Sequence, residues 1–461
     1  MAVPKIEKAV GMEVYVTRSK GIGGVLRQSI EDFIVKEVLI DGSKAEISPL
    51  SGEGKTKTFN LSATDKRYLL CILVKRNWDT FLAVRAVAGQ LGLCPKQIQI
   101  AGIKDTRAVT AQYITVEGAT SEGFSKIKVK DVEIRPVGYF RGKISPYLLL
   151  GNHFHITIKA ISHSKSTVKK RIAETIGEIE ASGGVPNFFG HQRFGTTRPI
   201  THLVGKALIQ GNFKKAAMIF LAKPSPHEHP ESKQARENLR ATQDFEKALK
   251  IFPKNLRYEH LMLKHLAKKP DDFIGVFRRL PGKLLKLFPQ AYQAYLFNKF
   301  LSRRIKSGLS LNEANVGDYV VNVERNGLPM LSMHRIVDVK TISEVNEALK
   351  AGRMRLALPL VGFRQRLSKG FQGEIEEQIL EEEGISPEDF KIRMMREISS
   401  RGELRAVTTP LKNFLLHDIA NDSVNPLKNM VRLHFMLLRG SYATVLLREI
   451  MKARNPIKAG F

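Results

Sequence analysis

Two stretches of this chain hold residue types at spacings that could do chemistry. The first is Ile98 to Val116, I-Q-I-A-G-I-K-D-T-R-A-V-T-A-Q-Y-I-T-V, where apolar residues alternate on both sides of the polar knot Lys104-Asp105-Thr106-Arg107. That alternation predicts two half-buried strands joined by a short turn, and Gly102 allows a bulge or the close approach of another chain. Asp105 then stands alone at a hairpin tip with Lys104 and Arg107 beside it. Cationic neighbours keep a carboxylate ionised and draw phosphates toward it. An acid inside a basic rim suits a site where a polyanion arrives and one carboxylate reacts. An ordinary turn aspartate with solvated flankers is the plainer alternative.

The second stretch, Gly183 to Gly195, packs four glycines, a proline and three phenylalanines into thirteen residues, G-G-V-P-N-F-F-G-H-Q-R-F-G. Such a composition predicts a loop of fixed, unusual dihedrals rather than a helix or strand. Rings beside Asn187 and Arg193 are what stacking on, and edge recognition of, an unpaired base require. The competing reading, a glycine-rich turn whose rings seal a core, fits one or two of the three phenylalanines.

The totals narrow the partner. At 461 residues, two or three domains are expected, and 43% hydrophobic residues allow a sizeable core. Lys and Arg number 74 against 45 Asp and Glu, a net charge of +29. Such an excess points to nucleic acid or an anionic membrane surface. No apolar run approaches the roughly 18 residues needed to span a bilayer. Met1-Ala-Val-Pro-Lys-Ile-Glu has no hydrophobic segment behind its charges, so no signal peptide is expected. Nucleic acid is the better partner, and no membrane is implied. Cys71 and Cys94 read as reduced core residues of a cytoplasmic protein. His227-Glu228-His229 lacks the helical i,i+4 spacing of a zinc site, so no metal is expected. Gly21-Ile-Gly-Gly24 is at most half a dinucleotide fingerprint with no helix after it. No cofactor follows from it.

Several elements must position these groups. Phe33–Val38 alternates as a strand, Leu69–Val74 reads as a buried strand, and Phe81–Leu91 reads as a helix capped by Asp79 or Thr80. Phe154–Lys159 is another strand, and Val168, Ile172, Ile176 and Ile179 share one helical face. Together these describe an α+β layer, a mostly antiparallel sheet with helices on one face. From about Lys206 the character changes: Ala235–Leu249 and Leu284–Ile305 read as basic helices, and Val316–Val339 reads as a hairpin about Arg325-Asn326-Gly327-Leu328. Between Lys264 and Lys306 there are eleven Lys or Arg but only Asp271 and Asp272 as acids, which leans toward a phosphate-tracking surface. Glu374–Glu383 reads as an acidic surface helix near basic segments. Asn429–Leu438 returns to strand patterning, and Gly440-Ser441 reads as a helix start with Ser441 as cap. The helical middle is therefore expected to be an insertion into one catalytic domain.

Taken in order, the motifs resemble the TruD family of tRNA pseudouridine synthases. The carriers are Ala101-Gly-Ile-Lys-Asp-Thr-Arg-Ala-Val-Thr-Ala-Gln-Tyr113 and Gly184-Val-Pro-Asn-Phe-Phe-Gly-His-Gln-Arg-Phe-Gly195. Glu31-Asp32-Phe33 and Gly440-Ser-Tyr-Ala-Thr444 with Arg448-Glu449 support them. The resemblance implies a pseudouridine synthase-like catalytic domain, residues 1–205 with 403–461. An inserted α/β TRUD domain, 206–402, would flank an RNA-binding cleft. It also implies a tRNA partner, with uridine 13 of the D arm as target, and an isomerase needing neither metal nor small-molecule cofactor. By the same resemblance Asp105 matches the catalytic aspartate. Asn187 and Phe189 match positions that hold the carboxylate and stack on the target base, and Arg27 falls where a basic side chain sits beside the aspartate. Phe33, Lys104, Arg107 and Arg193 are expected to contact substrate. Leu438 and Phe188 stand where family members often have proline and tyrosine, which bears mainly on loop shape. Two other classes stay open: a noncatalytic tRNA-binding protein or RNA chaperone, and a methyltransferase, for which Gly21–Gly24 is a poor donor loop. The oligomeric state is left open; length and composition permit a dimer.

Overall fold

A computed structural model describes residues 2–48 and 68–461. One mixed sheet of eight strands forms the layer that carries both ends of the chain. Its strands are β1 (Phe33–Leu39), β2 (Tyr68–Arg76), β3 (Ile98–Ile100), β4 (Val109–Glu117), β5 (Val132–Phe140), β6 (Leu149–Ile161), and later β13 (Lys412–Asn421) and β14 (Asn429–Leu438). The order is β13-β14-β6-β1-β4-β2-β5, with β3 paired to β4. Every pairing is antiparallel except β1 with β4.

Register explains where the helices settle. Val35 lies opposite Thr110 and Phe154, and Lys75 lies opposite Thr110, so these side chains share one face. On that face Phe33, Val35, Phe154 and Phe435 pack with the helix Lys165–Ala181 and the C-terminal helix Ala443–Met451. Leu69, Cys71 and Leu73 pack there with the helix Thr80–Gln90 through Ala83, Val84 and Val87. Helices on one face are what the periodicity predicts. Between the two apolar clusters runs a strip of buried polar side chains, Lys75, Thr110, Gln112 and Glu37. Polar groups in the middle of a sheet face have to be paired or put to use.

The inserted part is a helical layer plus a second, antiparallel sheet. That sheet has the order β11-β10-β8-β9, from β8 (Tyr319–Val323), β9 (Pro329–Ile336), β10 (Met354–Leu360) and β11 (Glu403–Ala406). It thus takes in residues just past the expected border at 402. The helix Gly282–Lys306 buries Phe288, Tyr292, Phe297 and Phe300 and is the spine of this part. Two residues of that spine reach the first layer: Asn298 donates to Val10 O at 2.9 Å, and Ser302 donates to Gly11 O at 2.7 Å. No helix among the described residues is long and apolar enough to cross a membrane.

Several expectations change. The β3–β4 connection is eight residues, 101–108, not a short turn, and β4 is buried along nearly its whole length because both its faces are packed, Ile114 and Val116 on one and Ala111 and Tyr113 on the other. Gly102 needs no special conformation; an added Cβ would meet nothing closer than 3.8 Å. Cys94 is exposed, whereas Cys71 is buried. The predicted helix 235–249 is two, Pro230–Thr242 and Phe245–Ile251, because Gln243 turns left-handed (φ 52°) and Asp244 caps a new start through Lys247 N. Ser441 is not a cap: the last helix begins at Ala443, behind Tyr442. The 183–195 stretch is not all loop, for β7 (Val185–Pro186) pairs with β12 (Thr408–Thr409). Gly184 at φ 126° permits that contact, since a Cβ there would lie 2.4 Å from Thr409 O.

The basic stretch 264–306 is largely neutralised at its end. Lys299 and Arg303 pair with Glu382, Lys299 also with Glu383, Arg304 with buried Asp318, and Lys306 with Glu13. The acidic helix Gly370–Glu383 is the partner anticipated for basic segments, although its Glu376 is fully buried rather than on the surface. Lys264, Lys268, Lys269, Lys283 and Lys286 remain exposed.

Candidate active site

Asp105 owes its position to the loop between β3 and β4, which is tied down along its length. Lys104 N donates to Thr80 Oγ1 at 3.1 Å, Gln112 Nε2 donates to Gly102 O at 3.1 Å, and Lys75 Nζ donates to Asp105 O at 2.7 Å. The strip of polar side chains on the sheet face is therefore the loop's anchorage. What remains free is the Asp105 carboxylate, one-third exposed (33%), which accepts from Arg27 Nη2 at 3.2 Å.

Arg27 is held as firmly. Its Nη1 donates to Gly460 O at 2.7 Å, and its guanidinium lies 3.9 Å over the Phe33 ring. Its backbone is left-handed (φ 56°), a conformation that costs a non-glycine residue energy and recurs at functional sites. Burial pulls the Arg27 guanidinium below its usual pKa, while the Asp105 charge opposes that and Arg107 adds to it. Arg107 is exposed and donates to Arg27 O at 3.2 Å.

The carboxylate opens into a pocket of about 390 Å³ lined by Phe33, Ile103, Phe154, Asn152, Gln192 and Tyr442, among others. That volume lies within the roughly 300–1,000 Å³ typical of small-molecule sites. Among the lining residues Asp105 is the one carboxylate. The second sequence stretch reaches this pocket through Gln192, and the C-terminal motif through Ser441–Thr444.

Asn187 and Phe189 stand differently from the expectation. The Asn187 amide donates to Ala406 O at 3.0 Å and accepts from Arg405 Nη2 at 2.7 Å. It makes no hydrogen bond to Asp105. All three phenylalanines of the stretch are buried. Phe189 has the Arg405 guanidinium 3.9 Å over its ring, Phe297 edge-on at 5.7 Å and Tyr442 at 6.1 Å. It borders a neighbouring pocket of about 420 Å³ with Arg193, Lys286 and Gln290. Tyr442 lines the Asp105 pocket and so links it to Phe189 of the neighbouring one. Arg193 lies 5.3 Å from the Phe189 ring, and its buried Nε has no partner.

Lys104 departs furthest. It is buried and ion-paired to Glu37 at 2.7 Å, with Asn152 Oδ1 also at 2.7 Å, because Glu37 on the same sheet face needs a cation. It still lines the Asp105 pocket, but as a buried, paired cation rather than part of a solvated basic rim. The polar pair Arg448-Glu449 is structural as well: with Glu7 it forms a buried network that also holds Tyr15 and the N-terminal segment.

Two residues escape a sequence reading. Lys75 ends an apolar run as its only charged buried member, a signal available but unused. Arg405 carries no local signal, because its importance comes from contacts made across more than two hundred residues. It donates from Nε to Asn187 O at 3.0 Å and from Nη2 to Gly440 O at 2.9 Å. Burial lowers its pKa to about 10, with the Tyr442 charge opposing this and Arg193 adding to it. Among the described residues no group of His, Cys, Asp or Glu is arranged to hold a metal ion.

Comparison with known proteins adds relatives to this geometry. The family model described as "tRNA pseudouridine synthase D (TruD)" matches residues 9–450. The "Probable tRNA pseudouridine synthase D" of Methanosarcina mazei is 41% identical over 458 residues, 99% of this chain and 100% of that protein. The protein of the same name from Thermococcus onnurineus is 37% identical over 441 residues, 95% of this chain and 97% of its own length. A crystal structure from Methanosarcina mazei named for tRNA pseudouridine synthase D (TruD) superposes with a TM-score of 0.81 at 41% identity, covering 99% of this chain and 100% of that one.

Proposed function

This chain belongs to the TruD family of tRNA pseudouridine synthases, and we propose that it isomerises uridine in tRNA, at position 13 of the D arm, with Asp105 as the reacting carboxylate. The support is one observation: a lone, Arg27-paired carboxylate opens into a pocket bordered by aromatic rings. The bond from uracil N1 to the ribose breaks, its electrons stay with the base, the base turns, and C5 bonds to the same ribose carbon and gives up its proton. No electrons are lost or gained overall, so the change needs no redox partner. The target cannot be reached inside a stacked arm and must be everted. Asp105 then attacks the anomeric carbon or removes a ribose proton, and both routes require it charged and aimed. Arg27 keeps it so. Residues 1–205 with 403–461 would be the catalytic unit, and 206–402, with its exposed lysines, would grip the tRNA backbone.

Tritium at C5 of tRNA uridine tests the reading, because isomerisation releases the label. Purified protein with tRNA and no added cofactor should release it. Binding without release would leave a noncatalytic tRNA-binding protein, and release only with a methyl donor would indicate a methyltransferase.

Lys75 gives the reaction a pH signature. Burial lowers its pKa from 10.5 to about 8, with Asp105 opposing that shift. Its charge beside Asp105 is thus present at pH 7 and lost as pH rises through about 8. Turnover should fall on that limb, and Lys75→Arg should move the fall upward. Unfolding is not the cause: a lysine depressed in the folded state makes stability rise, not fall, between about 8 and 10.5. An identical pH–rate profile for Lys75→Arg would refute the assignment.

A further inference from the structure

We infer that Ile103, backed by Phe81 and Leu82, is an apolar wedge that enters the base stack of the RNA at the gap left by the everted nucleotide. The inference rests on the proposed reading of Asp105 and goes beyond it.

These three side chains are 63%, 47% and 50% exposed, where large apolar residues ordinarily seek cover. Ile103 lies in the catalytic loop, and Phe81 and Leu82 directly follow Thr80, to which that loop is bonded through Lys104 N. Ile103 lines the Asp105 pocket from two residues away. Phe81 and Leu82 begin the helix Thr80–Gln90, whose buried side already faces the sheet through Ala83, Val84 and Val87. Their outward turn is therefore not needed to pack the helix on the sheet, and the contact it makes is Lys283 over the Phe81 ring.

The lip is also stiff. Thr80 Oγ1 accepts from Lys104 N at 3.1 Å, and Asp79 accepts from Phe81 N and Leu82 N, so loop and helix start are fastened together. A β-branched side chain on such a mount can be pushed into a stack without folding away.

Charge identifies the occupant as RNA rather than a second protein. Lys283, from the inserted part, places its ammonium 5.8 Å from the Phe81 ring, and Lys286 lies one helical turn on. Apolar side chains for bases beside cations for phosphates, on a chain of net charge +29, are the composition of a nucleic-acid surface. Proteins that open a duplex commonly insert an apolar side chain between bases and so recover part of the lost stacking.

Two measurements test it. On intact tRNA, Ile103→Ala should lower kcat/KM by about 10-fold or more, because nothing then holds the opened base step apart, and Ile103→Val, which keeps the branched Cβ, should retain most of the activity. On a tRNA transcript whose target is already unpaired, the loss should shrink to within about threefold. Equal losses on both substrates, or none on either, overturn the wedge. The second measurement needs no turnover: 2-aminopurine beside the target should brighten when Asp105→Asn protein binds, and adding Ile103→Ala should remove that rise. A rise that persists overturns the wedge. If the unaltered protein releases no tritium while the rise still depends on Ile103, the isomerase reading fails and the wedge stands. Phe81→Ala with Leu82→Ala should act in the same direction on intact tRNA.

Discussion

Asp105→Asn should cut tritium release from C5-labelled tRNA by about 10³-fold or more, within the range lost when a positioned acid–base or nucleophilic group is removed. The amide keeps the shape of the carboxylate but can neither attack the anomeric carbon nor accept a ribose proton. The fold should survive the change. The side chain is one-third exposed, and Arg27 keeps Gly460 O and the Phe33 ring when its anion is gone. Melting temperature and tRNA affinity should therefore stay near those of the unaltered protein, while turnover disappears. Release at close to the ordinary rate would remove Asp105 from the chemistry. Equal losses of activity and melting temperature would make it a structural residue.

Different parts of this arrangement were legible to different degrees. The strand at Phe33, the helix after Asp79 and the strand ending at Leu438 follow from periodicity and capping, both written within a dozen residues. Asp105 could be named because it sits in a compact motif, and Arg27 only by its place in the family resemblance, six residues before Phe33. What the sequence hides is which charge answers which. Lys104 reads as a partner of Asp105 because it is adjacent, yet the loop turns it toward Glu37, 67 residues earlier in the chain. Asp32, inside a motif tied to the site, instead pairs with Lys159 at 2.8 Å. Glu382 and Glu383 cancel cations some eighty residues away; the acidic run announces a basic neighbour, but not which lysines and arginines it will meet. Pairing across a sheet or between layers depends on register, and register is settled by the whole fold.

Arg405→Ala should lower turnover by about 10²-fold, the cost of letting reacting groups drift by roughly an ångström, with a much smaller rise in KM for tRNA. One guanidinium joins three parts: strand β11 on which it sits, the Asn187–Phe189 turn through Asn187 O and Oδ1, and the Gly440 carbonyl ahead of Tyr442. Both turns border the pockets at the proposed site. Arg405 is thus a positioning residue, and it also stacks on the ring that the family resemblance assigns to the target base. Lysine cannot reproduce that planar fork, so Arg405→Lys should remain severely impaired despite keeping its charge. Added guanidinium should partly rescue Arg405→Ala and leave Asp105→Asn inactive. Because Arg405 and Phe189 form one stack, the double variant with Phe189→Ala should lose little more than Arg405→Ala alone. Fully additive losses would separate the two side chains. Faster amide exchange at Phe189 and Gly190 in Arg405→Ala, read independently of turnover, should accompany the fall in kcat; unchanged exchange together with unchanged kcat would show that the turn holds its geometry without this arginine.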